Sequence, residues 1–258
     1  MPHPEPALSD RAAVEVFHLA LLRTLLSAPA EKAHLTVKGG CNLRFFFGSP
    51  RYSEDLDLDV DVIARHTLKR NVDKALSGTV LARQLAAAGL SVADSSAPKQ
   101  TDTVQRWKVQ LRTARGAVLP TKVEISRRGA AGDAELHTVD RRLLDGYRLP
   151  TVQARHYLIG AALRQKVVAL ADREIAQARD VFDLDLLATR AGRDLPKLSG
   201  LASELAQARD RALSIAHGDY VAKVVAYLEP SEQPLYRSRD AWEAMQLHVA
   251  DTLERMAR

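Results

Sequence analysis

Three aspartates, Asp55, Asp57 and Asp59, alternate with Leu56, Leu58 and Val60 downstream of a glycine pair, Gly39-Gly40. Alternation of this kind marks a strand, since successive side chains point to opposite faces. The leucines then face a core and the carboxylates share the other side. Like charges in a row repel, and a divalent cation relieves the repulsion; all-oxygen ligands suit magnesium, with manganese as the alternative. A glycine turn opening a helix presents backbone N–H groups that suit a phosphate. Carboxylates able to hold a metal beside a phosphate cradle point to nucleotide chemistry.

The aspartate row has three rival readings. A calcium loop would share its first three acidic positions but needs glycine at the sixth, where Val60 stands. A sugar-nucleotide transferase would use an aspartate pair but has no obligatory Gly-Gly helix upstream. A solvated edge strand would carry charges merely to discourage aggregation. Metal-assisted phosphoryl transfer commonly engages further carboxylates, and Thr121-Lys122-Val123-Glu124-Ile125-Ser126 supplies one on a second strand. Glu124 is therefore the candidate general base or third metal ligand, its alternative being a surface partner of Lys122.

The elements that position these groups follow from local signals. Ser9-Asp10 caps a helix running to about Ser27, which Pro29 ends; His34–Lys38 is a short strand entering the glycine turn; Asn42–Phe47 is the helix after it. The aspartate strand covers Leu56–Val62. A helical stretch runs from about Thr67 to Ala88, a weak strand lies near Leu90–Ala93, and Asp94–Thr101 reads as a loop. Val104–Thr113 and Ala117–Ser126 form a hairpin. Beyond Pro150 helical periodicity dominates. The expected fold is thus an α/β lobe with a mixed sheet over residues 1–150 and a mostly α-helical lobe over 151–258.

Composition bounds the setting. The chain has 258 residues, one cysteine and a net charge of +5, with pI near 9.4. One cysteine excludes an internal disulfide framework and fits a reducing cytoplasm. No stretch approaches membrane-spanning length, and MPHPEPALSD lacks the pattern of a secretory signal. The basic balance is compatible with nucleic acid and equally with an ordinary solvated surface. The eight histidines show no zinc spacing, and Trp107 and Trp242 are expected to be packing anchors.

Gly39-Gly40-x-x-Leu43-Arg44, then Arg51-x-Ser53-Glu54-Asp55-Leu56-Asp57-Leu58-Asp59, then Lys122–Ser126, resembles the AbiEii-like nucleotidyltransferase toxins. That family includes the mycobacterial MenT toxins and belongs to the DNA polymerase β-type superfamily. Arg164-Gln165-Lys166-Val167-Val168-Ala169-Leu170, then Asp172-Arg173 and Arg179-Asp180-Val181-Phe182-Asp183-Leu184, resembles its second signature. Cys41 departs from the expected small polar residue, and the spacing between Lys166 and Arg179-Asp180 is slightly long.

The resemblance implies transfer of a nucleoside monophosphate from an NTP, with pyrophosphate leaving. Gly39 and Gly40 would cradle the triphosphate, Arg44 would help set that turn, and Asp55, Asp57 and Glu124 would hold Mg2+ or Mn2+. Lys166, from the helical lobe, would reach the phosphates in the active-site cleft. Asp180 or Asp183 would orient it or contact base or ribose, while Arg173 and Arg179 would bind triphosphate or acceptor. Ser53, beside Asp55, is a further nucleotide-binding candidate and a conceivable phosphorylation point. The acceptor implied is the 3′ end of tRNA, with a separately encoded antitoxin, no membrane association and a monomeric cytoplasmic protein. The alternatives are transfer to a protein or small molecule, and a catalytically silent interaction module. Asp57→Ala and Lys166→Ala are expected to abolish transfer while sparing the fold, on the reading that both side chains are exposed.

Overall fold

The computed structural model describes residues 8–128 and 132–258. In chain order the helices and strands are α1 (Asp10–Leu25), α2 (Pro29–His34), β1 (Leu35–Lys38), α3 (Gly39–Phe46), β2 (Asp55–Val60), α4 (Arg65–Ser77), α5 (Thr79–Ala87), β3 (Leu90–Gln100), β4 (Val104–Thr113) and β5 (Val118–Ser126). There follow β6 (Ala134–Thr138), α6 (Arg141–Gly146), β7 (Gln153–Tyr157), α7 (Ile159–Asp172), α8 (Ala178–Ala191), α9 (Ala202–Ser214), α10 (His217–Lys223), α11 (Gln233–Tyr236) and α12 (Arg239–Ala257). The strands make a mixed seven-stranded sheet in the order β3-β4-β5-β2-β1-β7-β6. Within it β1 and β2 are antiparallel, β2 and β5 are parallel, and β3-β4-β5 is an antiparallel ribbon.

The chain divides into two compact units. The first takes in the described residues within Met1–Cys41, Tyr52–Ala130 and Leu136–His156, and the second those within Asn42–Arg51, Ala131–Glu135 and Tyr157–Arg258. In the first unit, Ser9 caps α1 by accepting the Ala12 N–H. Leu56, Leu58, Val123 and Ile125 are fully buried between the site strands and the core. Trp107 anchors β4, its indole N–H donating to Asp73 of α4 at 2.8 Å. In the second unit α7, α8, α9 and α12 bury one apolar core, in which Trp242 stacks on Tyr220 at 4.3 Å and donates to the Ile215 carbonyl.

Several sequence expectations change. Pro29 starts α2 rather than ending α1, since proline fits the first helical turn where its missing N–H is no loss. The helical stretch after the site is two helices that meet at Gly78. Asp94–Thr101, expected as a loop, is mostly strand. It forms the outer part of β3, an edge strand with register shifts at Val92/Asp94 and Ser96/Lys99, which break the apolar alternation that would have identified it. The short strands β6 and β7 carry too few apolar residues to stand out in the sequence.

Candidate active site

In the first unit, strand pairing sets the carboxylates side by side. In register, Asp57 of β2 lies opposite Glu124 of parallel β5 and opposite Lys38 of β1, while Asp55 lies opposite Lys122 and Asp59 opposite Ser126. Directly paired residues share a sheet face, so the aspartates and Glu124 form one polar surface over a floor of leucine and valine. Asp55, Glu124 and Asp59 each meet a cationic side chain there. Lys122 Nζ meets Asp55 at 2.8 Å, Arg106 grips one oxygen of Glu124 through Nε and an amino nitrogen at 2.7 Å, and Lys38 meets Asp59 at 2.6 Å.

Gly39 sits at φ +64°, a left-handed conformation, and a Cβ built on it would lie 2.9 Å from Asp57 Oδ2. Only glycine leaves room for the chain to turn beside that carboxylate. Gly40 occupies the first turn of α3.

The start of β2 is fixed from below. The Ser53 hydroxyl and the Cys41 thiol both donate to the Asp55 carbonyl, at 2.9 and 3.3 Å. Thr121 gives its one hydroxyl proton to the Glu54 carbonyl at 2.7 Å, so the 2.8 Å contact with His18 Nε2 requires the histidine to donate. That assigns the Nε2–H tautomer. Burial without a countercharge pushes the His18 pKa down to about 3. Burial, reinforced by nearby carboxylates against the pull of Ser53, raises the Cys41 thiol well above its usual value and makes it unreactive. His18 and Thr121 thus link α1 to the start of the site strands; the sequence places His18 in a helix without catalytic duty, and a threonine inside a strand gives no local signal.

The donor chemistry fits a hard cation: oxygen-only, two aspartates two apart on one strand, partly open to solvent. Among the described residues no group of three or more His, Cys, Asp or Glu is arranged to hold a metal ion. Arg106 holds Oε2 of Glu124 and Lys122 holds Oδ2 of Asp55, so a cation shared with Asp57 would compete with two ion pairs already made.

The second unit holds a buried charge cluster. Lys166 Nζ of α7 meets Asp183 at 2.6 Å and Asp180 at 3.1 Å, both on one face of α8 at i, i+3 spacing. One amino nitrogen of Arg51 meets both oxygens of Asp183 at 3.1 Å, and Arg173 Nε lies 2.8 Å from Asp180 Oδ2. That last contact is an ion pair without hydrogen-bond alignment, since neither atom has a hydrogen-bond partner. Both aspartates are fully buried. Burial alone would raise the Asp183 pKa, but Arg51 and Lys166 outweigh it and hold it below the usual range. Burial likewise lowers Lys166, and the two carboxylates outweigh that to raise it. Lys166 is buried, at 9% exposure, not the exposed helix lysine that an unharmed Lys166→Ala fold requires.

Arg44 is also buried. It donates to the Ser49 carbonyl at 2.9 Å and pairs with Glu229 at 2.6 Å, so within its unit it braces the Gly48–Arg51 loop. Arg179 is half-buried on α8.

The first unit thus carries facing carboxylates on a parallel strand pair beside a glycine turn, within a mixed sheet. The family model described as nucleotidyl transferase AbiEii toxin, type IV toxin–antitoxin system, matches residues 20–256, and the chain belongs to that family. Among solved structures it is similar to JHP933 from Helicobacter pylori, at 23% identity and TM-score 0.65, covering 98% of this chain and 94% of that one. It is similar also to MenT4, a nucleotidyltransferase toxin from Mycobacterium tuberculosis H37Rv, at 17% identity and TM-score 0.65, covering 97% of this chain and 89% of that one. These likenesses establish the shared fold. No curated protein matches the chain significantly. The family implies a separately encoded antitoxin, and among the described residues no helix is long and apolar enough to cross a membrane.

Proposed function

We propose that this toxin-family protein transfers a nucleoside monophosphate from an NTP to the 3′ end of tRNA and so blocks translation. The supporting observation is the register that sets Asp57 against Glu124 beside the Gly39 turn. Asp55 and Asp57 would hold magnesium, which when bound supplies the positive charge that steadies the triphosphate. The backbone N–H groups at Gly39 and Gly40 receive phosphate oxygens. Glu124 takes the proton of the acceptor hydroxyl as its oxygen bonds to the α-phosphorus; the bond to the β-phosphate oxygen breaks and pyrophosphate leaves with that electron pair. Lys166 has two of its three N–H donors committed to Asp183 and Asp180.

The test incubates the protein with magnesium, each labelled NTP in turn, and either total tRNA or total protein. Label is expected on tRNA, lost with EDTA, and reduced at least roughly 100-fold by Asp57→Ala. Label on a polypeptide instead overturns the acceptor; undiminished transfer by Asp57→Ala overturns the metal assignment.

A further inference from the structure

We infer that the open face of the β3-β4-β5 ribbon is the track on which the acceptor RNA strand lies, its phosphates on Lys99, Lys108 and Arg112. The inference rests on the tRNA reading above and deepens it.

β4 alternates strictly. Trp107, Val109 and Leu111 are buried, whereas Lys108, Gln110 and Arg112 are exposed on the other face with Arg106 beside them. Cross-strand register puts Lys99 against Arg106, Ser96 against Lys108 and Ser91 against Arg112, while Lys122 and Glu124 of β5 pair with Lys108 and Arg106. The open face therefore runs without interruption into the one that carries Asp55 and Asp57. Where it meets β2, a hollow of about 400 Å³ is lined by Glu54, Asp55, Lys108, Gln110, Thr121 and Lys122, room for a strand's terminal nucleotide next to the carboxylates.

The charges on this face have two states. Lys122 and Arg106 are occupied by Asp55 and Glu124. Lys99, Lys108 and Arg112 meet no carboxylate among the described residues, and the acidic residue among them is Asp94. Edge protection does not account for β4, which is internal to the sheet, covered on one side by β3 and on the other by β5. Same-face residues along a strand recur every ~7 Å, comparable with the step between phosphates in an extended polynucleotide. A protein partner would need buried apolar anchors at the centre of its footprint, and the one large exposed apolar side chain of this face, among the described residues, is Val118 at its end. Charge without anchors fits a polyanion.

The test measures binding of 5′-fluorescein-labelled tRNA by anisotropy across a salt series. One variant combines Lys99→Ser, Lys108→Ser and Arg112→Ser; a charge-matched control combines Arg70→Ser, Lys74→Ser and Arg83→Ser on α4 and α5. Circular dichroism verifies folding of both, and equilibrium dialysis follows NTP binding. The track variant is expected to bind tRNA at least tenfold more weakly, with a log K against log salt slope shallower by about 2, roughly 0.7 for each single-strand phosphate no longer neutralised, and with NTP binding unchanged. The control is expected to stay near wild type. Equal losses in the two variants, or none in either, overturn the track while leaving tRNA transfer standing. Wild-type protein that labels a polypeptide and binds no tRNA overturns the acceptor reading and the track together.

Discussion

At Gly39 a single methyl group would contact the oxygen of Asp57 at 2.9 Å, and the left-handed backbone there costs an L-residue roughly 1–2 kcal/mol besides. Gly39→Ala is therefore expected to lower the melting temperature and to reduce nucleotide transfer far more than such a small stability loss explains, because the methyl displaces a proposed metal-holding carboxylate. Thermal melts alongside transfer assays check it; full activity with a lowered melting point would make the glycine purely structural. Lys166 is the opposite of the exposed helix lysine expected from the sequence. Its ammonium is the shared countercharge of two fully buried carboxylates, and removing one partner of a buried pair typically costs about 3–5 kcal/mol. Lys166→Ala should then lose stability in urea unfolding by that order as well as activity. An unchanged midpoint would mean that Arg51 and Arg173 suffice to neutralise Asp183 and Asp180.

Between elements, His18 ties α1 to the start of the site strands through Thr121 and the Glu54 carbonyl. Its folded pKa, about 3, lies below the unfolded value of 6.5. The unfolded chain thus binds a proton between those values and the folded chain does not. Stability from this group is complete above about pH 6.5 and is lost as pH falls toward 3. Between pH 7.5 and 5 the loss is about 2 kcal/mol. His18→Gln, which keeps a donor for Thr121, is expected to flatten the pH dependence of the urea midpoint by that amount. Parallel pH profiles for the two proteins would show that His18 is protonated within the fold.

Across the whole molecule, legibility in the sequence tracks how local each cause is. The aspartate alternation and the glycine pair are local signals, so β2, the Gly39 turn, β4 and β5 can be read almost to the residue. The pairing of β2 with β5, which sets Asp57 against Glu124, depends on chain segments more than sixty residues apart; only the chemical need for another carboxylate points to it. The outer half of β3 is illegible because a bulged edge strand has no buried face to impose alternation. The burial of the Arg51–Asp183–Lys166–Asp180 cluster is hidden for a different reason: it is made by segments distant in the chain, and no residue's sequence neighbours reveal it.

The lone thiol of the chain has a practical corollary. Cys41 is fully enclosed, with its thiol kept in the neutral, unreactive form. Native protein handled in air therefore has no route to covalently linked copies. A dimer band on a non-reducing gel would report material that had already come apart around the glycine turn.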